Sequence, residues 1–267
     1  SLLNRSSAVD ISLLGPAIPF GLLPASDPRL LRSMEKLLHL NTLPGDPNTL
    51  TCWAADPDSH EPGFSPGEPH QHDPSSLGTL WMARYLLQLG RETGEGRHWT
   101  RAIELLNDVI TRLGSLGLSL NPNTRRGSAA TEMPRSSPGV WGLHAMLIET
   151  LLDIGGVDYI AAEDLIQLRP IMPLEWPHVG LDVPLSVGHF SYRWQRSSGP
   201  SHRLSLSASL SKPLRLQIEL TCPTLEDLAG YTAPDGVAPP NFDRKTRCLS
   251  WDIDLPRGET DWEWSWS

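Results

Sequence analysis

The sequence predicts a chain that is helical first and β second: helices and long loops over residues 1–170, then an antiparallel, sandwich-like β-domain over residues 171–267. Three observations support this. Through the first part, apolar residues recur three and four apart, the spacing of one helix face. From about Leu181 they recur at every second position, the spacing of a strand with one buried and one wet face. Hydrophobic residues make up 39% and charged residues 20% of 267, enough for one large folded domain or two of ordinary size.

The elements follow in order. In "DPRLLRSMEKLLHL" Asp27 is a helix N-cap and Pro28 the first helical residue, with Leu30, Leu31, Met34, Leu37 and Leu38 as its apolar stripe. Asp73 and Pro74 repeat that start. Leu77, Leu80, Trp81 and Arg84 or Tyr85 then share a face up to Gly90, which reads as the helix stop. Trp99, Ala102, Ile103, Leu106, Val109, Ile110 and Leu113 make a third helix, ended by Gly114. The fourth, "SPGVWGLHAMLIETLLDIGG", is apolar nearly all round, the pattern of a helix buried on most sides. A short helix around Ala161–Leu168 closes the set. "HRLSLSASL", "PLRLQIEL", "LSWDIDL" and "DWEWSW" then alternate as strands, with Glu259, Asp261 and Glu263 on the wet face of the last.

Composition excludes some functions. A net charge of −9 without a dense Lys/Arg cluster argues against a nucleic-acid partner. No run of about 18 apolar residues is present, so no membrane span is expected. Three cysteines, Cys52, Cys222 and Cys248, form no CxxC pair; a Cys222–Cys248 bridge and three free thiols both fit. Gly-rich phosphate loops, nucleophile elbows and HExxH are absent from the sequence, and no cofactor is expected. Ten Trp against four Phe and four Tyr is an unusual balance, since Trp stacks on sugars as well as filling cores.

Several phrases resemble the catalytic barrel of glycoside hydrolase family 15 and its six-hairpin relatives. They are "DISLLGPAIPFGLLPASDPRLLRSMEKLLHL", "LGTLWMARYLLQLGR…WTRAIELLNDVITRL" and "SSPGVWGLHAMLIETLLDI", in the family's order over roughly residues 10–155. "LIQLRPIMPLEWPHVGLDVPLSVGHFSYRW" resembles the helix-to-strand junction of six-hairpin enzymes that carry a C-terminal β-domain. The resemblance implies a toroid of paired helices acting on glycosidic bonds of an oligo- or polysaccharide, with inversion. The four or five helices read here are too few for a whole toroid. The remainder, with the general acid, is then expected on another segment or chain.

Inverting hydrolysis needs two carboxyl groups about 6.5–9.5 Å apart, one giving a proton and one activating water. Where the family places its base, this sequence reads "GLSLNPNTRRGSAATEMPRSSPGVW", with Asn121 and Asn123 at the expected position. Neither amide can act as a base. Glu132 is the sole carboxylate between Asp108 and Glu149 and is therefore the candidate base. Trp141 and His144, three apart, share a helix face and suit a stacking ring beside a hydrogen-bonding imidazole. In "GEPHQHDPSS", Glu68, His70, His72 and Asp73 offer alternating ligands, but no third metal ligand is marked by spacing and Asp73 reads as a cap. No metal is assigned there. By the resemblance this loop is a pocket lip, and the substrate-binding candidates are Glu68, His72, Trp81, Trp141 and His144. Two rivals stay open: a polysaccharide lyase using His70, His72 and Arg125, and a non-catalytic carbohydrate-binding or scaffold protein.

Overall fold

The computed structural model describes residues 8–43, 46–50, 53–55, 76–113, 139–173, 175–196, 201–222, 225, 228 and 230–267. The chain forms two compact units, Ser1–Thr150 and Leu151–Ser267, and the order is helices first, then sheets.

In the first unit, strand β1 (Ala8–Asp10) leads into a 3-10 turn capped by the Asp10 carboxylate, which accepts from the Ser12 amide at 2.7 Å. Helix α1 (Pro28–Asn41) starts as its sequence predicts: Asp27 accepts from the Arg29 amide, Pro28 follows, and Leu30, Met34 and Leu37 are buried. Strands β2 (Thr42–Leu43) and β3 (Asp46–Leu50) pair antiparallel, and β4 (Trp53–Ala55) pairs with β1. Helices α2 (Ser76–Thr93) and α3 (Gly96–Leu113) pack side by side as a hairpin. Each Leu or Ile buried between them contributes on the order of 1.5–3 kcal/mol.

Three expectations about these helices are corrected. Gly90 does not stop α2; the helix runs to Thr93, and Gly94 at φ +72° supplies the left-handed turn that ends it. Gly90 is instead the point where the Trp99 ring of α3 lies against α2. The helix buried on most sides is also α2, with eleven buried residues from Ser76 to Gly90. Helix α4 (Gly139–Gly155), expected in that role, keeps Ile148, Leu151 and Leu152 exposed. Ile110, assigned to the stripe of α3, is exposed as well.

The second unit takes the last turn of α4 and then strands. The Ala161–Leu168 helix is not formed. Strand β5 (Val157–Ile160), a 3-10 turn over Ala161–Glu163 and β6 (Leu165–Leu168) form an antiparallel hairpin through Asp164 at φ 53°. Leu165, Ile166 and Leu168 are all buried, so this strand carries no alternation and imitates a short helical run. Strands β7 (His178–Leu185), β8 (Gly188–Arg196), β9 (His202–Leu210), β10 (Leu214–Thr221), β11 (Asn241–Asp243), β12 (Cys248–Leu255) and β13 (Gly258–Trp266) complete the unit.

They make a four-stranded antiparallel sheet, β13-β9-β8-β7, and a five-stranded sheet, β11-β12-β10-β6-β5. The second sheet is mixed rather than purely antiparallel, because β6 runs parallel to β10. Period two is obeyed: Leu204, Leu206, Ala208 and Leu210 of β9, and Leu214, Leu216, Ile218 and Leu220 of β10, are buried. The inner faces meet through tryptophans. Trp251 of β12 lies 6.5 Å from Trp264 and 5.9 Å from Trp266 of β13, ring centre to ring centre. Such tilted pairs contribute about 0.5–1.5 kcal/mol beyond their burial. Four of the six tryptophans of this half, Trp194, Trp251, Trp264 and Trp266, are thus core.

Cys222 and Cys248 are free thiols. Cys248 stands opposite Thr221, and the next residue, Cys222, donates its amide to Arg247. Alternation sends Cys222 to the buried face and leaves Cys248 half-exposed on the other, so their Cβ vectors diverge.

Candidate functional site

The sequence candidates divide into two groups. Glu132, Glu68 and His72 lie outside the described residues, as do His70, Asp73, Asn121, Asn123 and Arg125. Trp141 and His144 fall on the first two turns of α4, where His144 is half-buried, and Trp81 lies in α2. Among the described residues, no group of three His, Cys, Asp or Glu is placed to hold a metal ion.

Trp81 acts first as a brace. Its indole N–H donates to the Ile18 carbonyl at 2.7 Å, fixing the "GPAIPFGLLPAS" loop to α2. Three more side chains from α2 complete the fastening. The Tyr85 hydroxyl donates to the Ala25 carbonyl at 2.6 Å. The Glu92 carboxylate accepts from the Ala25 and Ser26 amides at 3.0 and 2.9 Å and from the Gln88 amide at 3.0 Å. Burial pushes the Glu92 carboxyl up, yet the bonds from Gln88, Ser26 and Ala25 outweigh it and hold the group below the usual range. Burial, with Glu92 and Asp27 nearby, raises the Tyr85 hydroxyl, which stays protonated as a donor.

The spacing Trp81, Tyr85, Gln88, Glu92 is a ridge of i+4, i+3, i+4 steps on one helix face. Sequence reading placed Trp81 and Tyr85 there and missed Gln88 and Glu92, whose helical spacing was the available signal. The fastened loop presents Phe20 and Leu22, 69% and 75% exposed, at its tip. On the same unit, the Arg84 guanidinium of α2 pairs with the Glu149 carboxylate of α4. Arg84 is largely buried and Glu149 largely exposed, so this link fixes the approach of α4 to α2. The described residues around Trp81 therefore form a braced loop, fastened to α2 by two donors and one carboxylate and carrying two exposed apolar side chains at its tip.

No family model matches the chain, and no curated protein matches it. It is similar in structure to an α-L-rhamnosidase from Dictyoglumus thermophilum, at 11% identity and TM-score 0.43, over 73% of this chain and 21% of that one. A GH127 β-arabinofuranosidase matches at 11% identity and TM-score 0.36, over 94% of this chain and 40% of that one. A GH127 β-L-arabinofuranosidase from Geobacillus stearothermophilus matches at 8% and 0.34, over 73% and 32%. The structures it is similar to are glycoside hydrolases, and the chain spans less than half the length of each.

Proposed function

We propose that this chain is part of a six-hairpin, carbohydrate-active enzyme that hydrolyses glycosidic bonds of an oligo- or polysaccharide, resembling the C-terminal part of a family-15-like catalytic domain. The observation that supports it is the ordered run of family-like phrases on α1, on the α2–α3 hairpin and on α4, followed by a β-sandwich. In this reading Glu132 is the general base and activates water, and the general acid comes from outside this chain. Glu68, His72, Trp81, Trp141 and His144 belong to the substrate rim. The Trp81 indole N–H is already committed to Ile18, so its part is to hold the loop rather than to give a sugar a hydrogen bond.

The test is Glu132→Gln in the full-length source protein, assayed on a panel of nitrophenyl glycosides and oligosaccharides. A base lost in this way lowers kcat by at least about a hundredfold with KM little changed. Proton NMR of the first-formed sugar then reports inversion. Unchanged turnover in Glu132→Gln removes the assignment of the base. An unsaturated product absorbing in the ultraviolet from a uronate-containing chain moves the protein to the lyase class.

A further inference from the structure

We propose that the outer face of the four-stranded sheet carries a second binding site, for a neutral polyhydroxylated ligand of monosaccharide size. A shallow cavity of about 370 Å³ lies there, at the small end of the roughly 300–1,000 Å³ typical of ligand pockets. The strand register builds it as two rows of three. Ser191, Ser207 and Asp261 stand side by side across β8, β9 and β13, and Arg193, Ser205 and Glu263 form the next row. Serine at three of the six positions leaves a floor one hydroxymethyl deep. The longer Arg193, Asp261 and Glu263 side chains rise as walls on either side.

The chemistry of the floor selects the ligand. Main-chain groups of the two inner strands, β8 and β9, are tied up in their ladders, so recognition on the floor falls to side chains. Ser209, one row further, commits its hydroxyl to Glu259 at 2.6 Å and closes one end. The Ser191 hydroxyl reaches the Ser207 carbonyl only at 3.5 Å, and the Ser205 and Ser207 hydroxyls have no such partner among the described residues. Each free hydroxyl both donates and accepts, Arg193 only donates, and Asp261 and Glu263 only accept. That mixture matches a ring of vicinal hydroxyls. Arg203, whose Nε stands 3.6 Å from Glu263, makes two cations against two carboxylates, so the cavity favours no ionic ligand. Trp262, between Asp261 and Glu263 on β13, turns to the opposite, inner face, where its ring lies edge-on against Trp264 at 5.8 Å, so it holds the strand and recognition rests on the polar side chains.

The site lies within the β-unit and is independent of Glu132. Saturation-transfer difference NMR on the full chain, with D-galactose, L-arabinose and myo-inositol as probes, tests it. At least one probe is expected to bind with a dissociation constant of about 1 mM, as suits a small ligand held mainly by hydrogen bonds. Ser207→Ile fills the floor with a residue that strands accept, and is expected to weaken binding at least about tenfold while near-ultraviolet circular dichroism stays that of the wild type. Where that spectrum changes, Ser205→Val serves in its place. No signal from any probe, or a signal unchanged in the folded variant, overturns the proposal. A signal that survives the floor variant leaves the glycosidase reading standing. Conversely, loss of hydrolysis in Glu132→Gln leaves this binding intact.

Discussion

Trp99 occupies the space that a side chain at Gly90 would need: a Cβ there would come within 2.3 Å of the indole nitrogen. The indole is itself buried and donates to the Leu87 carbonyl at 3.3 Å, so it has nowhere to withdraw. The α2–α3 hairpin is therefore set by one glycine on one helix and one large ring on the other.

Gly90→Ala is expected to destabilise the first unit although alanine is the better helix former. The helix gain is at most about 1 kcal/mol. Forcing a buried ring aside costs about 1–3 kcal/mol. A urea midpoint shifted downward with an unchanged slope would agree with this balance; a stabilised variant would show that the hairpin opens without cost.

The ridge on α2 makes a second prediction. Glu92→Ala removes the acceptor for two loop amides, at about 2 kcal/mol for bonds to a charged group. Hydrogen exchange at Ala25 and Ser26 should accelerate roughly 30-fold, while amides in the middle of α3 stay protected. Tyr85→Phe should give a smaller effect, about 1 kcal/mol, by leaving the Ala25 carbonyl without its donor. Uniform acceleration across the unit would mean that Glu92 supports the fold and not the loop.

The elements best announced by the sequence were those whose signal is local. Asp27 with Pro28 fixed the start of α1, and the alternation of β9 and β10 gave both their type and their buried faces. What escaped depends on partners distant in the chain. Gly90 looks like a stop until Trp99 is placed beside it, and β6 looks helical until β10 pairs with it in parallel. The apolar circumference of α4 suggested burial, yet Ile148, Leu151 and Leu152 are exposed, since periodicity reports an apolar face without naming what covers it. Around the candidate site, Trp81 and Tyr85 were legible as one helix face, whereas the Trp81 bond to Ile18 crosses 63 positions and leaves no local signal.

The thiols give a third prediction. Burial pushes the Cys222 thiol up to about 12 and the Cys248 thiol up to about 11, so neither is a ready thiolate near neutral pH. Pulsed iodoacetamide followed by peptide mass mapping should label Cys248, which is half-exposed, well before Cys222. Both should label alike in denaturant. A Cys222–Cys248 linked peptide under non-reducing conditions would contradict the register that points them to opposite faces.

The fourth prediction concerns His202, which is buried between aromatic rings in the β-sandwich. Its ring stacks on Trp266 at 5.5 Å and 8° and lies 5.9 Å from Trp194, with neither ring nitrogen hydrogen-bonded among the described residues. Burial, reinforced by the nearby Arg196 charge, lowers its pKa from the ordinary 6.5 to about 4. The sign follows from proton counting. Between these two values the unfolded chain binds a proton that the folded unit refuses, so stability falls as pH drops. The difference amounts to about 3 kcal/mol by pH 4. His202→Phe keeps the ring stack and removes the titrating group. Thermal melts followed by tryptophan fluorescence should show the wild type losing more stability than this variant as pH is lowered, with the curves meeting above the ordinary histidine value apart from a constant offset. Parallel curves across the whole range would show that His202 takes up its proton without disturbing the stack.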